Sequence, residues 1–310
     1  MLEGEGRAAA TRAPFDALIV ATPDFARDRS LRNVVETTGG RVLASVNWDE
    51  AVARVEATVV APLLLLDAAG ADDEQLAAAL YRIDGIATGR GLAIVAGLTT
   101  AQIDIASAGL VGPQVALLCD PTPLDWVGAV AAWRALDGLP LHDRVAESEA
   151  ARLARLNEEV VRIADVLARL SRPREARDSV ADMQFAFAAR GREPPAIDPA
   201  EVRQVIRARR LRDRQFGKGL FEDPAWDMML DLFAAQLERA QVSVSSLCIA
   251  AAVPPTTALR WITRMTEAGL FERQPDPFDR RRAFMALSPR GLEGMRNYVA
   301  AARAMGLPLI

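Results

Sequence analysis

SVSSLCIAAAVPPTTALRWITRMTEAGLFERQPDPFDRRRAFMALS, residues 243–288, holds two short helical patterns on either side of a Val253-Pro254-Pro255-Thr256 break. Proline cannot donate a helical hydrogen bond, so the pair closes the first pattern, Val244 to Val253. Pro255 or Thr256 opens the second, which runs to about Ala268 and stops at Gly269. Leu270 begins a strand. A polar, Arg-rich loop follows, and a second strand runs from Arg282 to Leu287. Helix, turn, helix, hairpin is the order of a winged helix-turn-helix, a fold that lays one helix in the major groove of DNA.

On the second helix, Leu259, Ile262 and Met265 make the buried stripe. The opposite face presents Thr256, Thr257, Arg260, Trp261 and Arg264. Arg260 and Arg264, one turn apart, can reach a guanine edge or a phosphate. Thr256 and Thr257 suit a thymine methyl or a phosphate. Two of these residues have a second reading. Trp261 fits packing against the core or the wing better than base contact, and Arg264 equally fits a solvated surface. Ser243, Ser245 and Ser246 are placed to cap the first helix and to donate to a backbone phosphate. Phe284 and Met285 alternate along the second strand, so one of them belongs to the core.

The hairpin loop, Glu272-Arg273-Gln274-Pro275-Asp276-Pro277-Phe278-Asp279-Arg280-Arg281-Arg282, closes with Leu287-Ser288 and Gly291. It resembles the wing of the MarR family of transcription regulators, in its Asp-Pro-x-Asp-Arg-Arg core and in the distance from that core to Leu-Ser. The resemblance implies a homodimer on double-stranded DNA. It implies that Asp279 braces an Arg inside the loop while Arg281 reaches a minor groove, where narrow A·T tracts attract guanidinium groups. Arg280 and Arg282 join this set less firmly, because strand alternation turns one of them away. It also implies that the helix from Ala200 to about Gln215 packs against a partner subunit. Residues 200–310 are thus expected to be a MarR-like DNA-binding domain, with Trp226, Met229, Leu230, Phe233 and Leu237 on one face of its first core helix, Pro224 to Glu238.

The other half of the chain reads differently. From Phe15 to about Asp137, apolar runs alternate with helical patterns. The strands are read at Ala17–Ala21, Val42–Val46, Val59–Leu66, Leu92–Ala96 and Gln114–Cys119. The intervening helices are read at 31–38, 48–57, 73–83, 100–108 and 123–136. Continuously apolar strands joined by helices imply a parallel sheet covered on both faces. The fold class is therefore α/β followed by mainly α, with a flavodoxin-like, doubly wound domain over residues 15–140. Its spacing resembles a two-component receiver domain, with Asp67 where a receiver carries its phospho-acceptor aspartate. Other positions depart from that pattern. Ala21-Thr22 replace the acidic pair that would hold Mg²⁺, although Asp24 lies nearby. Gly97 stands for the hydroxyl residue after the fourth strand, with Thr99 and Thr100 close. Asp120-Pro121 replace Lys-Pro. Phosphoryl transfer needs cations at the moving group, so the domain reads as a pseudo-receiver. Asp67 then caps the following turn, and its use as a working acceptor is the alternative.

Between the halves, Leu153, Leu156, Val160, Ile163, Leu167 and Leu170 follow 3-4 spacing with Arg and Glu between them. Such a narrow seam, within residues 141–172, marks a coiled-coil dimerisation helix or a helix packed on its own domain. Prolines and Gly191 mark 173–199 as a linker, and residues 1–14 read as a small, mobile leader.

The whole chain has 310 residues, 51% hydrophobic and 25% charged, with a net charge of −4. That balance argues neither for nor against a nucleic acid. Arg203, Arg207, Arg209, Arg210, Arg212 and Arg214 form one cluster and Arg280–Arg282 another, while Lys218 is the only lysine. Heavy Arg use is also what a GC-rich genome produces. Cys119 and Cys248 lie in apolar segments without metal-ligand spacing, which suits a reducing, cytoplasmic compartment. A single histidine, His142, leaves no zinc set and no His-based triad. No apolar run spans a membrane, and no signal-peptide core opens the chain. Gly85, Gly89 and Gly91 lack nucleotide-binding spacing. No enzyme and no cofactor is expected. The reading is a homodimeric DNA-binding regulator whose N-terminal domain senses or docks, with a protein or a small molecule as its partner. A phosphorylation-dependent regulator and a protein-docking scaffold are the alternatives.

Overall fold

The computed structural model describes residues 14–137, 197–217, 219–279 and 281–307. The Leu153–Leu170 seam, the 173–199 linker up to residue 196 and the leader as far as residue 13 lie outside the described residues. Among the described residues, those from Pro14 to Ala131 and from Ile197 to Leu307 pack as one unit.

The first half builds β1 (Phe15–Ala21), α1 (Phe25–Thr37), β2 (Gly40–Val46), α2 (Trp48–Ala57), β3 (Leu63–Asp67), α3 (Asp73–Arg90), β4 (Ile94–Leu98), a 3-10 turn at Thr100–Gln102, α4 (Ile103–Gly109), β5 (Val115–Cys119) and α5 (Pro123–Asp137). All strand pairs are parallel, in the order β2-β1-β3-β4-β5. This is the doubly wound order of flavodoxin-like sheets. β1, β3 and β4 lie between other strands. Leu18, Ile19, Val20, Leu64, Leu65 and Leu66 are fully buried, because helices cover both faces.

Several boundaries differ from the sequence reading. β3 starts at Leu63, not Val59, and Val59 is 96% exposed. The Arg90 guanidinium explains this, since it donates to the carbonyls of Val55, Thr58 and Val60 at 2.9, 2.5 and 3.0 Å. Those carbonyls serve a bend, and Pro62 then brings no N–H to a ladder. α3 runs through Gly85 and Gly89 to Arg90 and ends at Gly91, which takes the left-handed conformation (φ 65°). α1 begins at Phe25, because Asp24 caps it by accepting the N–H groups of Ala26 and Arg27. Gly97 lies within β4, opposite Asp67, so Thr99 is the first residue after that strand.

The second half builds α6 (Pro199–Phe216), α7 (Pro224–Glu238), β6 (Val242–Ser243), α8 (Val244–Ala250), α9 (Pro255–Glu267), β7 (Phe271–Pro275), β8 (Ala283–Leu287) and α10 (Pro289–Ala304). A three-stranded sheet, β6-β8-β7, closes the helical core. Phe233 and Met228 are fully buried at its centre. Gly291 is required where α10 leaves β8, because a Cβ there would sit 2.3 Å from the Leu270 carbonyl oxygen.

Three of the six α6 arginines, Arg203, Arg209 and Arg210, are turned toward α7, while Arg207 and Arg214 are exposed. Arg209 Nε donates to Asp227 at 2.6 Å, and Arg210 Nη2 lies 3.2 Å from the other carboxylate oxygen. Arg203 bridges Asp231 and Glu238 on α7 at 2.5 and 2.8 Å. The Asp227 side chain is only 5% exposed. Asp227→Ala leaves Arg209 with Asp223 and Arg210 with Asp213 and the Ala250 carbonyl, and is expected to cost about 3 kcal/mol, the low end of the range for breaking a buried pair from one side. Urea unfolding of the two proteins, compared at constant slope, checks this.

Candidate nucleic-acid interface

α8 is a single two-turn helix capped by Ser243, whose Oγ accepts the Ser246 N–H at 3.1 Å. The hydroxyls of Ser245 and Ser246 lie 2.8 and 3.0 Å from the same oxygen. Ser245 also faces the first half of the chain. Its N–H donates to Asp104 Oδ1 at 2.9 Å, and its hydroxyl to Asp104 Oδ2 at 2.6 Å. Cys248 lies on the buried face of α8, and burial pushes its thiol up to about 12.

The turn to α9 passes through Ala252, which takes a positive φ of 55°, and Pro254 supplies the extended residue before the helix. Ala258, Leu259, Ile262 and Met265 are buried against the core, which matches the stripe read from the sequence. Arg260 and Arg264 are exposed. The Arg264 guanidinium stacks over the Trp261 ring, 4.9 Å from its centroid, and Trp261 itself packs on the core. Thr257 is half-buried. Thr256 is engaged: its hydroxyl accepts the Cys119 N–H at 2.9 Å and donates to the Cys119 carbonyl at 3.3 Å.

β7 and β8 pair antiparallel from Phe271↔Leu287 to Pro275↔Ala283, and the loop between them folds on two aspartates. Asp276 accepts the N–H groups of Phe278 and Asp279. Asp279 accepts the Arg281 N–H at 3.0 Å and its guanidinium at 3.1 and 3.3 Å; Arg282 Nε stands 3.7 Å away. Asp279 therefore braces Arg281 more closely than Arg282. The Arg281 bond holds the Asp279 carboxyl below its ordinary range. Both guanidinium groups keep half or more of their surface exposed. Arg280 lies outside the described residues. Of the alternating pair on β8, Met285 is buried and Phe284 half-buried.

Arg273 escaped the sequence reading. Its guanidinium reaches from β7 to the carbonyls of Ser107 and Leu110 at the end of α4, at 2.5 and 3.3 Å. Burial there lowers its pKa, against the opposing charge of Asp84. Asp104, 141 positions before Ser245, was also missed. A lone Asp on a short helix and a strand arginine carry no local signal.

In the first half, Asp67 ends β3. Its Oδ1 accepts the Ala69 N–H at 3.1 Å, as a turn cap does, and Arg27 lies 3.9 Å from Oδ2. A cleft of about 230 Å³ beside it is lined by Arg27, Asp67, Thr99, Asp120 and Trp126 among others. Thr99 is tied to Gln102, and Asp120 to the Thr100 hydroxyl. The Trp126 ring lies so close over Gly97 that a Cβ there would sit 2.3 Å from it. Among the described residues, no three His, Cys, Asp or Glu groups are placed to share a metal ion. No helix among them is long and apolar enough to cross a membrane.

Residues 230–291 match a family model described as a winged helix DNA-binding domain. The C-terminal part is a winged helix domain. Among solved structures, a probable transcriptional regulator from Pseudomonas aeruginosa is 25% identical over 41% of this chain and 82% of its own, with a TM-score of 0.23. AbsC, a MarR family transcriptional regulator from Streptomyces coelicolor, is 23% identical over 42% and 78%, with a TM-score of 0.23. MepR from S. aureus, in a DNA-binding conformation, is 12% identical over 41% and 80%, with a TM-score of 0.24. No curated protein matches the chain.

Burial raises the Asp67 pKa more than the Ala69 bond and Arg27 lower it. The folded protein therefore binds a proton there more readily than the unfolded chain, and stability falls as pH rises from the unfolded pKa through the folded one. Asp67→Asn keeps an acceptor for the Ala69 N–H and removes the buried charge. It is expected to raise the melting temperature at neutral pH, with the gain vanishing once the solution is acidic enough to protonate Asp67 in both states. Thermal scans of both proteins from pH 3 to pH 8 measure this.

Proposed function

We propose that the chain is a DNA-binding transcription regulator of the MarR type. The observation that carries this reading is the winged helix of residues 230–291, with Arg260 and Arg264 displayed opposite the buried stripe of α9. Thr256, Thr257, Arg260 and Arg264 are assigned to the major groove, Ser245 and Ser246 to phosphate, and the wing residues Asp279 to Arg282 to the minor groove. Within the wing Arg281 contacts DNA and Asp279 orients it. The Arg264–Trp261 stack stiffens a side chain that would otherwise lose rotamer freedom on contact. The α/β half serves as a sensing or docking module with a protein or small-molecule partner, and it is not switched by phosphorylation at Asp67. One Asp67 oxygen is spent on the turn, and Asp120 adds a carboxylate to the same cleft. A phosphoryl group there would lack a balancing metal ion. The chain acts as a homodimer through the Leu153–Leu170 seam and the helices flanking the winged helix, because two-fold DNA sites need two recognition helices about one helical turn apart.

Arg281→Ala is expected to weaken binding to all duplexes by a similar factor and to lower the slope of log affinity against log salt by about one. Arg264→Ala is expected to cost roughly 1–3 kcal/mol on a preferred site and little on random DNA. Fluorescence anisotropy on a site enriched from genomic fragments, titrated at several salt concentrations, reads both. Absence of binding by the unmodified chain to every duplex at low salt would sink the proposal.

Light scattering at micromolar concentration is expected to give a dimer, and Val160→Asp with Leu167→Asp to weaken it. A monomeric unmodified chain contradicts the dimer.

A further inference from the structure

We propose that the α/β half is an intramolecular cap that occupies the DNA face of the winged helix and competes with duplex for it. This rests on the DNA-binding reading above and adds its regulation.

Three contacts carry the inference, and each falls on an element assigned to DNA. At α8, both Ser245 donors are taken by the Asp104 carboxylate, an anionic oxygen pair standing where a phosphate would accept them. At the start of α9, the Thr256 hydroxyl is closed onto the Cys119 main chain of β5. At the hairpin, Arg273 is locked into the end of α4. The charges of Asp73 and Glu74, at the start of α3, act on Arg281 and raise its pKa together with Asp279.

The geometry excludes simultaneous DNA binding. A helix in a major groove about 12 Å wide has a phosphate backbone on each flank. Here one flank of α9 is against β5, and beyond it a cleft of about 1370 Å³ separates α3 and α4 from Thr266, Glu267, Arg281 and Arg282. At the first turn of α9 the α/β half stands where one backbone would run, so under this proposal the halves part before α9 seats.

Charge favours the closed arrangement. Residues 15–137 hold 16 Asp and Glu against eight Arg, a net charge of −8. Residues 197–307 hold 13 acidic and 17 basic residues, a net charge of +4. The cap thus offers the winged helix what DNA offers, carboxylates in place of phosphates, and added salt weakens both competitors.

The test compares full-length chains on one duplex at one salt concentration. Asp104→Ala removes the acceptor for Ser245. Glu36→Ala removes an equal charge from exposed α1, which borders the opposite edge strand, β2. Arg273→Met cuts the tie to α4 while taking a cation from the DNA-binding half. Simple electrostatics has Arg273→Met weaken DNA binding; a cap has it strengthen binding. The expected result is a tenfold or greater gain in affinity for both Asp104→Ala and Arg273→Met, with Glu36→Ala near the unmodified chain. Melting curves confirm that each variant is folded. Equal gains from Asp104→Ala and Glu36→Ala, or a folded Arg273→Met that binds no tighter than the unmodified chain, overturn the cap and leave the DNA-binding reading standing. If no chain binds duplex even at low salt, the DNA-binding reading fails and the cap falls with it.

Discussion

A five-stranded open sheet has two edges, and an edge strand carries main-chain groups that no neighbouring strand satisfies. In this protein one edge is β5, and the winged helix covers it. The Thr256 hydroxyl, at the first turn of α9, meets both the N–H and the carbonyl of Cys119. A threonine can do this because one hydroxyl both donates and accepts. The pairing ties the end of the sheet to the start of α9. From that junction α4 is brought to α8 and β8, and the hairpin arginine Arg273 reaches the α4 carbonyls. The closed arrangement of the two halves depends on this use of an open edge.

Nine of the described arginines fall into three groups with different work. Arg203, Arg209 and Arg210 neutralise carboxylates on α7 and hold α6 in place. Arg90 and Arg273 donate to main-chain carbonyls and fix a bend and an interface. Arg260, Arg264, Arg281 and Arg282 remain displayed at the surface, on α9 and the wing. A basic cluster in a sequence is therefore a poor map of a nucleic-acid surface. What counts is which guanidinium groups stay exposed, as Arg281 and Arg282 do even while paired with Asp279. A buried guanidinium left without an oxygen partner is costly, and α6 and α7 supply the partners by facing each other with opposite charges.

The pocket beside Asp67 keeps the topology of a carboxylate at the end of a central strand but spends its parts otherwise. One Asp67 oxygen holds a turn, Thr99 holds Gln102, Asp120 holds Thr100, and Trp126 lies against Gly97. Each of these polar groups is already held by another group of the fold. The same positions that could have served chemistry instead fasten the loops at the carboxyl ends of the strands.

The sequence by itself determined the local architecture. Apolar runs, the Pro254-Pro255 break and Gly269 placed most strands and helices, because such signals act within a turn or two of chain. The buried stripe of α9 and the aspartate-folded wing were legible for the same reason. The start of β3 was not, since it depends on Arg90 claiming carbonyls about 30 residues earlier. Nor could the sequence show that Asp104 would meet Ser245, or Cys119 meet Thr256, across 141 and 137 positions. Periodicity states which face of an element is apolar; it does not state what that face or its polar neighbours will touch. Which edge is covered, and which polar groups of α8, α9 and the hairpin are already occupied, was decided only when the two halves packed together and buried donors needed acceptors.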